Sequence, residues 1–221
     1  MEPTARLIDL SWPFFPGMAT FPGDPPMELR RMGDYATDGF RSHLASLPAH
    51  SGTHVDAPGH VLPGAAMLAD LPLSRFAGPG ALLDLRGRAE LAVTAQDLAP
   101  HLPRLADLPP AFVLLWTGDE ARWGTPGYYA AGAHLSEEAA TLLAGLPGLS
   151  GIGIDAGSAD AAGSFALPAH RALLGAGLVI VENLRGLADL PPTGFEFFCL
   201  PVLGLDGSPV RAAASVPGAR A

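Results

Sequence analysis

Three of the seven histidines in this 221-residue chain fall within eleven consecutive residues, with an aspartate among them. They form the run His50-Ser-Gly-Thr-His54-Val-Asp56-Ala-Pro-Gly-His60. Imidazole and carboxylate are ligands for zinc or manganese, and three protein ligands leave a coordination position open for water. His50 and His54 are four apart, as on one face of a helical turn; His54 and Asp56 are two apart, as on one side of a strand. Gly52 and Pro58 oppose a helix across the whole run, so a bend at Gly52 entering a short strand is expected. With two oxygens, Asp56 could also bridge a second ion, since paired sites hold ions roughly 3.5–4 Å apart. A single histidine is ordinarily a surface or core residue, but three with an aspartate point to a metal. No CxxC pair is present to build a closed thiolate site, which favours catalysis over a structural ion.

The elements that must position this run are legible from turn residues and apolar runs. Ala81–Leu85, Phe112–Trp116, Gly151–Ile154 and Leu178–Val181 are short, apolar and bounded by Gly, Pro or Asp, as buried strands are. A fifth candidate, Phe195–Leu205, is interrupted by Pro201. Helices are expected between them. Thr94 and Asp97 form a capping signal ahead of Leu98, and Ser136 precedes Glu137 and Glu138 in a helix that should end near Gly145. Pro168 to Gly175 has proline at its start and glycine at its end, the asymmetry of a short helix. Strands alternating with helices make the second half α/β, after a more loop-rich first third. Paired turn signals around Pro16-Gly17 and Pro22-Gly-Asp predict an extended N-terminal arm over residues 1–30. No composition shift marks a linker, so a single domain over 1–221 is expected.

Composition excludes several classes. The formal charge of −9 leaves no basic patch for nucleic acid. The apolar runs are strand-length, far short of the ~20 residues that span a membrane. The first residues lack a secretory signal pattern, and the lone Cys199 permits no intramolecular disulfide, so a cytoplasmic location is expected. Cys199 itself lies in an apolar run and reads as a small buried hydrophobe. His43, His101 and His134 have no ligand-type partners at useful spacing.

The eleven-residue run, in the form His50-x-Gly-Thr-His54-x-Asp56-x-Pro58-x-His60, resembles the signature of the cyclase family of metal-dependent hydrolases, which includes bacterial kynurenine formamidases and isatin hydrolases. Pro22-Gly-Asp24, Leu71-Pro-Leu, Phe76-Ala-Gly-Pro79, Thr117-Gly118, Gly151-Ile-Gly-Ile-Asp155, Ser158-x-Asp160, the His170 helix, Val181-Glu-Asn-Leu184 and Asp206-Gly-Ser-Pro-Val-Arg211 extend the resemblance over nearly the whole chain. It implies a swivelling β/β/α-type fold and a homo-oligomer, dimer or tetramer. It also implies two divalent ions, zinc or manganese: His50, His54 and Asp56 would hold the first, and Asp56, His170 and Glu182 the second. From the residues alone, Glu182 after Leu-Val-Ile-Val is costly to bury unless paired, with Arg171 and Arg185 as the alternative partners.

The resemblance assigns His60 the role of general acid/base beside hydroxide supplied by the metals, with an aryl formamide such as N-formyl-L-kynurenine as substrate and kynurenine and formate as products. A cyclic amide of the isatin type is the alternative, and a non-catalytic metal-binding protein the remote one. Phe21, Trp12 and Trp123 are the candidate substrate-binding residues, with Phe14, Phe15, Tyr128 and Tyr129 as further aromatics. Trp12, Trp116 and Gly59 depart from the family pattern, and Gly59 is expected to enlarge the pocket beside His60.

Overall fold

The computed structural model describes residues 5–218. Its centre is one curled, mixed sheet of nine strands. In chain order these are β1 (Arg6–Asp9), β2 (His54–Asp56), β3 (Ala77–Asp84), β4 (Phe112–Trp116), β5 (Gly151–Ile154), β6 (Val179–Glu182), β7 (Phe195–Phe198), β8 (Gly207–Pro209) and β9 (Ala213–Val216). Across the sheet the order is β1-β9-β7-β3-β4-β5-β6-β2-β8. The four central strands β3 to β6 run parallel; the five outer ones pair antiparallel.

The parallel strands are apolar throughout because both faces are covered. Alternate residues of β4 divide between two cores: Val113 and Leu115 face one, Phe112 and Leu114 the other. The first core is roofed by the helices Glu137–Ala144 and Pro168–Gly175, which supply Ala139, Leu143, Leu173 and Leu174. The second is enclosed by the curl of the sheet, which brings Ile8, Val55 and Phe197 together with Leu114 and Val181. Both helix caps expected from the sequence are present. Thr94 and Asp97 each accept the other's backbone N–H, and the Ser136 hydroxyl accepts from the Ala139 N–H at 3.2 Å.

The expected strands are all present, with three shifts. Ala81–Leu85 becomes Ala77–Asp84. Leu178–Val181 becomes Val179–Glu182, which carries Glu182 into the sheet. The run Phe195–Leu205 stops as a strand at Phe198, because Pro201 has no N–H for a ladder; the chain loops and re-enters the sheet as β8. Within the expected N-terminal arm, the described residues 5–30 include two strand segments. Arg6–Asp9 pairs with β9 along the sheet edge, and Glu28–Gly33 forms an antiparallel hairpin with Ser42–Ser46; only the Pro- and Gly-rich stretch between them is irregular. Among the described residues, no helix is long and apolar enough to cross a membrane.

Candidate metal centre and its cavity

The His50–His60 run folds as a bend, a strand and a tight turn. Gly52 has φ +56°, a left-handed conformation that makes the bend, and an added Cβ there would lie 2.9 Å from Phe14 and Met18. β2 follows with His54 and Asp56 on one side, their Nε2 and Oδ1 3.3 Å apart. Pro58–His60 is one 3-10 turn, which swings His60 back over His50 with the rings 4.1 Å apart.

Strand register brings in the distant residues. β6 lies antiparallel beside β2 with Glu182 directly opposite His54, so 128 positions of sequence collapse to one pair across the ladder. Glu182 Oε2 is 3.5 Å from His54 Nε2, and Oε1 is 3.3 Å from His170 Nε2. Glu182 does not pair with arginine: Arg185 goes to Asp9, and Arg171 to the carbonyls of Val61 and Ala166. His170 comes from the helix packed on β6, and its Nε2 lies 3.6 Å from Asp56 Oδ2.

A half-buried donor group, His50–His60–Asp206, lies beside two deeper ones, His50–His54–Asp56 and Asp56–His170–Glu182, each with its donor atoms within 4.8 Å of one another. Asp56 belongs to both deeper groups. Its Oδ1 faces His50 Nδ1 at 2.7 Å, whereas its buried Oδ2 has no hydrogen-bond partner. An unpartnered carboxylate oxygen at 1% side-chain exposure is costly unless a cation meets it. The donor set therefore fits divalent ions.

Each imidazole offers one nitrogen to the centre and has the other braced from outside. His54 Nδ1 donates to the Gly52 carbonyl at 2.8 Å, His170 Nδ1 to Asp160 at 2.7 Å, and His50 Nε2 to Asp206 at 3.1 Å. Such outer partners fix the tautomer and ring orientation of ligating histidines. Asp160 also accepts the backbone N–H groups of Ala169 and His170, holding the start of the helix in place.

The field at the centre is strongly negative. Burial opposes protonation of His50, yet Asp56 and Asp206 outweigh it and raise the imidazole to about 9. His54 and His170 are raised in the same way, against their burial, by Asp56 and Glu182 and, for His170, Asp160. Burial would raise Asp56, but the imidazoles of His54, His170 and His50 hold it well below the usual carboxylate range. A field that draws protons onto three imidazoles also draws cations. His60 differs: burial lowers it, and His50 and His170 add to that against the pull of Asp56. It is neutral at pH 7 and able to accept a proton.

The model of the family described as putative cyclase matches residues 8–161. This chain belongs to the cyclase family. It is 34% identical over 215 residues to the kynurenine formamidase of Salinibacter ruber, covering 93% of this chain and 95% of the relative. Among solved structures, isatin hydrolase A from Ralstonia solanacearum superposes with a TM-score of 0.79 at 26% identity, covering 96% and 92% of the two chains. A Bacillus stearothermophilus protein described as a predicted metal-dependent hydrolase has a TM-score of 0.73 at 26% identity, covering 96% and 98%.

In this cyclase-family chain the two deeper donor groups line the floor of a cavity of about 690 Å³, whose walls include Phe21, Tyr128, Tyr129 and Phe165. Phe21 is the one proposed substrate-binding residue that lines it. Trp12 and Trp123 instead stack on each other at 5.0 Å and 7°, and Trp123 supports Tyr128 edge-on from behind at 5.2 Å. Trp12 is pinned there by its backbone N–H to Thr53 and by Arg185 over its ring. Gly59 does not enlarge the cavity; a Cβ there would meet Met67 Sδ at 2.6 Å, away from it. Trp116 lies under Arg86 and donates to Glu120. His43, His101 and His134 do not line the cavity.

Sequence reasoning missed Phe165 and Asp206 as individual residues and passed over Asp160 as a landmark. Phe165 is 99% exposed at the cavity rim, an exposure that a lone Phe in Gly-Ser-Phe-Ala does not announce. For Asp160, the Asp-x9-His170 spacing ahead of a Pro-initiated helix was the available signal.

Proposed function

We propose that this chain is a metal-dependent amidohydrolase that cleaves an aryl formamide such as N-formyl-L-kynurenine to kynurenine and formate. The observation that carries the reading is the shared Asp56, with one oxygen unpartnered, on the floor of an aromatic-walled cavity that also contains His60. His50, His54 and Asp56 would hold one divalent ion, and Asp56, His170 and Glu182 a second, zinc or manganese. Such ions, when bound, acidify a water and polarise the carbonyl of the scissile amide. The chain's own residues do the rest. Phe21 and Tyr129, edge to face at 5.6 Å, offer apolar surface to an aryl ring, and Phe165 stands free at the rim to cover it. His60, neutral and in the same cavity, takes a proton and delivers it to the leaving amine nitrogen.

Ring opening of an isatin-type cyclic amide is the second reading, favoured by the similarity to isatin hydrolase A. It uses the same residues on an amide held in a ring. A metal-binding protein without catalysis is the third, and His60 argues against it, since storage has no use for a proton carrier. Formate release from N-formyl-L-kynurenine and ring opening of isatin, measured on the metal-loaded protein, separate the readings. His60→Ala is expected to abolish turnover and leave metal content intact; loss of metal would make His60 a ligand instead.

We also infer a homo-oligomer. The hairpin Glu28–Gly33/Ser42–Ser46 leaves Leu29, Met32, Phe40 and Leu44 at 43–57% exposure, and a two-stranded ribbon of this kind is marginal without a partner surface. The single, fully buried Cys199 suits a reducing cytoplasm.

A further inference from the structure

We propose that Asp206 is the positioning residue of His60: one carboxylate oxygen sets the tautomer of the proton carrier and of its neighbour His50 together. The inference rests on the reading of His60 as the group that moves the proton.

Asp206 stands one residue before β8, and its own carbonyl accepts the Ala57 N–H at 2.8 Å. β8 is in register with β2, Gly207 opposite Asp56, so the Asp206 side chain is delivered beside the centre by the sheet and not by a loose loop. Its Oδ2 lies 3.1 Å from His50 Nε2 and 3.4 Å from His60 Nδ1. The His50 ring lies flat against Gly207, where a Cβ would come within 2.3–2.7 Å of three of its atoms. The His60 ring lies over His50 at 4.1 Å, tilted by 35°. Two imidazoles thus converge on one oxygen.

An ionised carboxylate only accepts hydrogen bonds, so each ring nitrogen facing it must carry hydrogen. For His50 this keeps a proton on Nε2, so that Nδ1, 2.7 Å from Asp56 Oδ1, is the nitrogen that would face an ion. For His60 it puts the proton on Nδ1 and leaves Nε2 bare. In hydrolysis Nε2 then receives one proton from the attacking water and passes it to the leaving nitrogen as the C–N bond breaks. Water is added across that bond, and His60 ends as it began. While His60 is protonated, the adjacent carboxylate stabilises the imidazolium. The arrangement is that of an acid-oriented histidine in other hydrolases, where the acid works through the imidazole and not on the substrate. In the sequence Asp206 only opens a family landmark, and its role is hidden because the residue that needs it lies 146 positions away.

The test uses zinc-loaded protein, with Asp206→Ala, His60→Ala and the double variant. Nitrogen-15 NMR of labelled histidines reads the His60 tautomer without substrate: Nδ1–H is expected in the wild type, and a shift towards Nε2–H in Asp206→Ala. In kinetics at saturating zinc, Asp206→Ala should lower kcat for formanilide by about 10²-fold, within the range of general acid–base catalysis, with KM unchanged. Hydrolysis of 4-nitrophenyl formate, whose leaving group departs without a proton, should lose less, because only the proton delivery to the leaving group is dispensable there. Asp206→Ala should cost nothing further in the His60→Ala background. An unchanged His60 tautomer, or an equal loss on amide and ester at saturating zinc, would overturn the proposal. Wild-type inactivity on both substrates would instead count against the proposed function, and the tautomer reading would still decide the role of Asp206.

Discussion

Asp160→Asn should uncouple one half of the metal centre from the other. In the wild type the Asp160 carboxylate, 2% exposed, accepts three N–H groups: Ala169 at 2.8 Å, the His170 backbone at 3.0 Å and His170 Nδ1 at 2.7 Å. Asparagine keeps one acceptor oxygen and substitutes a donor for the other. If the amide nitrogen faces His170, the ring relieves its own donor–donor clash by moving its proton from Nδ1 to Nε2, while the His170 backbone N–H, which met the same oxygen, loses its acceptor. Nε2 is the atom facing Asp56 and Glu182, so that proton sits where an ion would bind. A charge-assisted hydrogen bond of this kind contributes about 1.5–3 kcal/mol. Removal of such an outer partner weakens metal binding ~10–100-fold, or about 1.4–2.7 kcal/mol, so the two routes to the magnitude agree. Calorimetric titration of metal-free protein with zinc should resolve two sites in the wild type. In Asp160→Asn one should weaken by that factor while the other, built on His50 and His54, holds. Activity should fall at limiting metal and recover in excess. Two unaltered sites in a folded variant would refute the claim that Asp160 sets the His170 tautomer.

Three other outcomes follow from the same geometry. Gly207→Ala should displace the His50 ring, since the new methyl would fall 2.3–2.7 Å from its atoms, and should cost the His50-containing metal site more than the other; the titration above checks it. Burial raises Asp155 to about 6, although Thr117 and Gly118 donate to it, so its folded value lies above the unfolded 3.8. Its contribution to stability is therefore fully present below 3.8 and lost as pH rises through 6, by about 3 kcal/mol, and Asp155→Asn should flatten the pH dependence of stability across that window relative to wild type. Phe40→Ser in the exposed hairpin should shift sedimentation towards monomer at low concentration without changing the thermal midpoint of metal-free monomer; an unchanged assembly would put the interface elsewhere.

The parts of the fold that were legible are those in which chemistry and structure share a local cause. Short apolar runs closed by Gly or Asp became β3 to β6 because a parallel strand is buried on both faces and has no polar alternation to confuse the reading. The bend at Gly52 and the strand at His54–Asp56 were legible for the same reason: glycine at φ +56° and a proline at position 58 leave few other paths. The aromatics were less legible. Trp12 and Trp123 have the composition of a substrate wall, yet two flat rings stacked at 5.0 Å bury more surface against each other than against an open cavity, and they became the support behind Tyr128.

What stayed hidden has a common form. Glu182, His170, Asp160 and Asp206 act only through strand register or a helix docked on the sheet, and no local pattern encodes which residue will lie opposite His54. The family resemblance supplied Glu182 and His170; the two outer carboxylates came only with the structure. Their placement carries a physical consequence beyond orientation. Asp56 and Glu182 at the centre, with Asp160 and Asp206 outside it, put four carboxylates around four imidazoles, a field that favours protons on the rings. Divalent ions would replace those protons, and their binding must therefore release protons to solvent and strengthen as pH rises through the imidazole range.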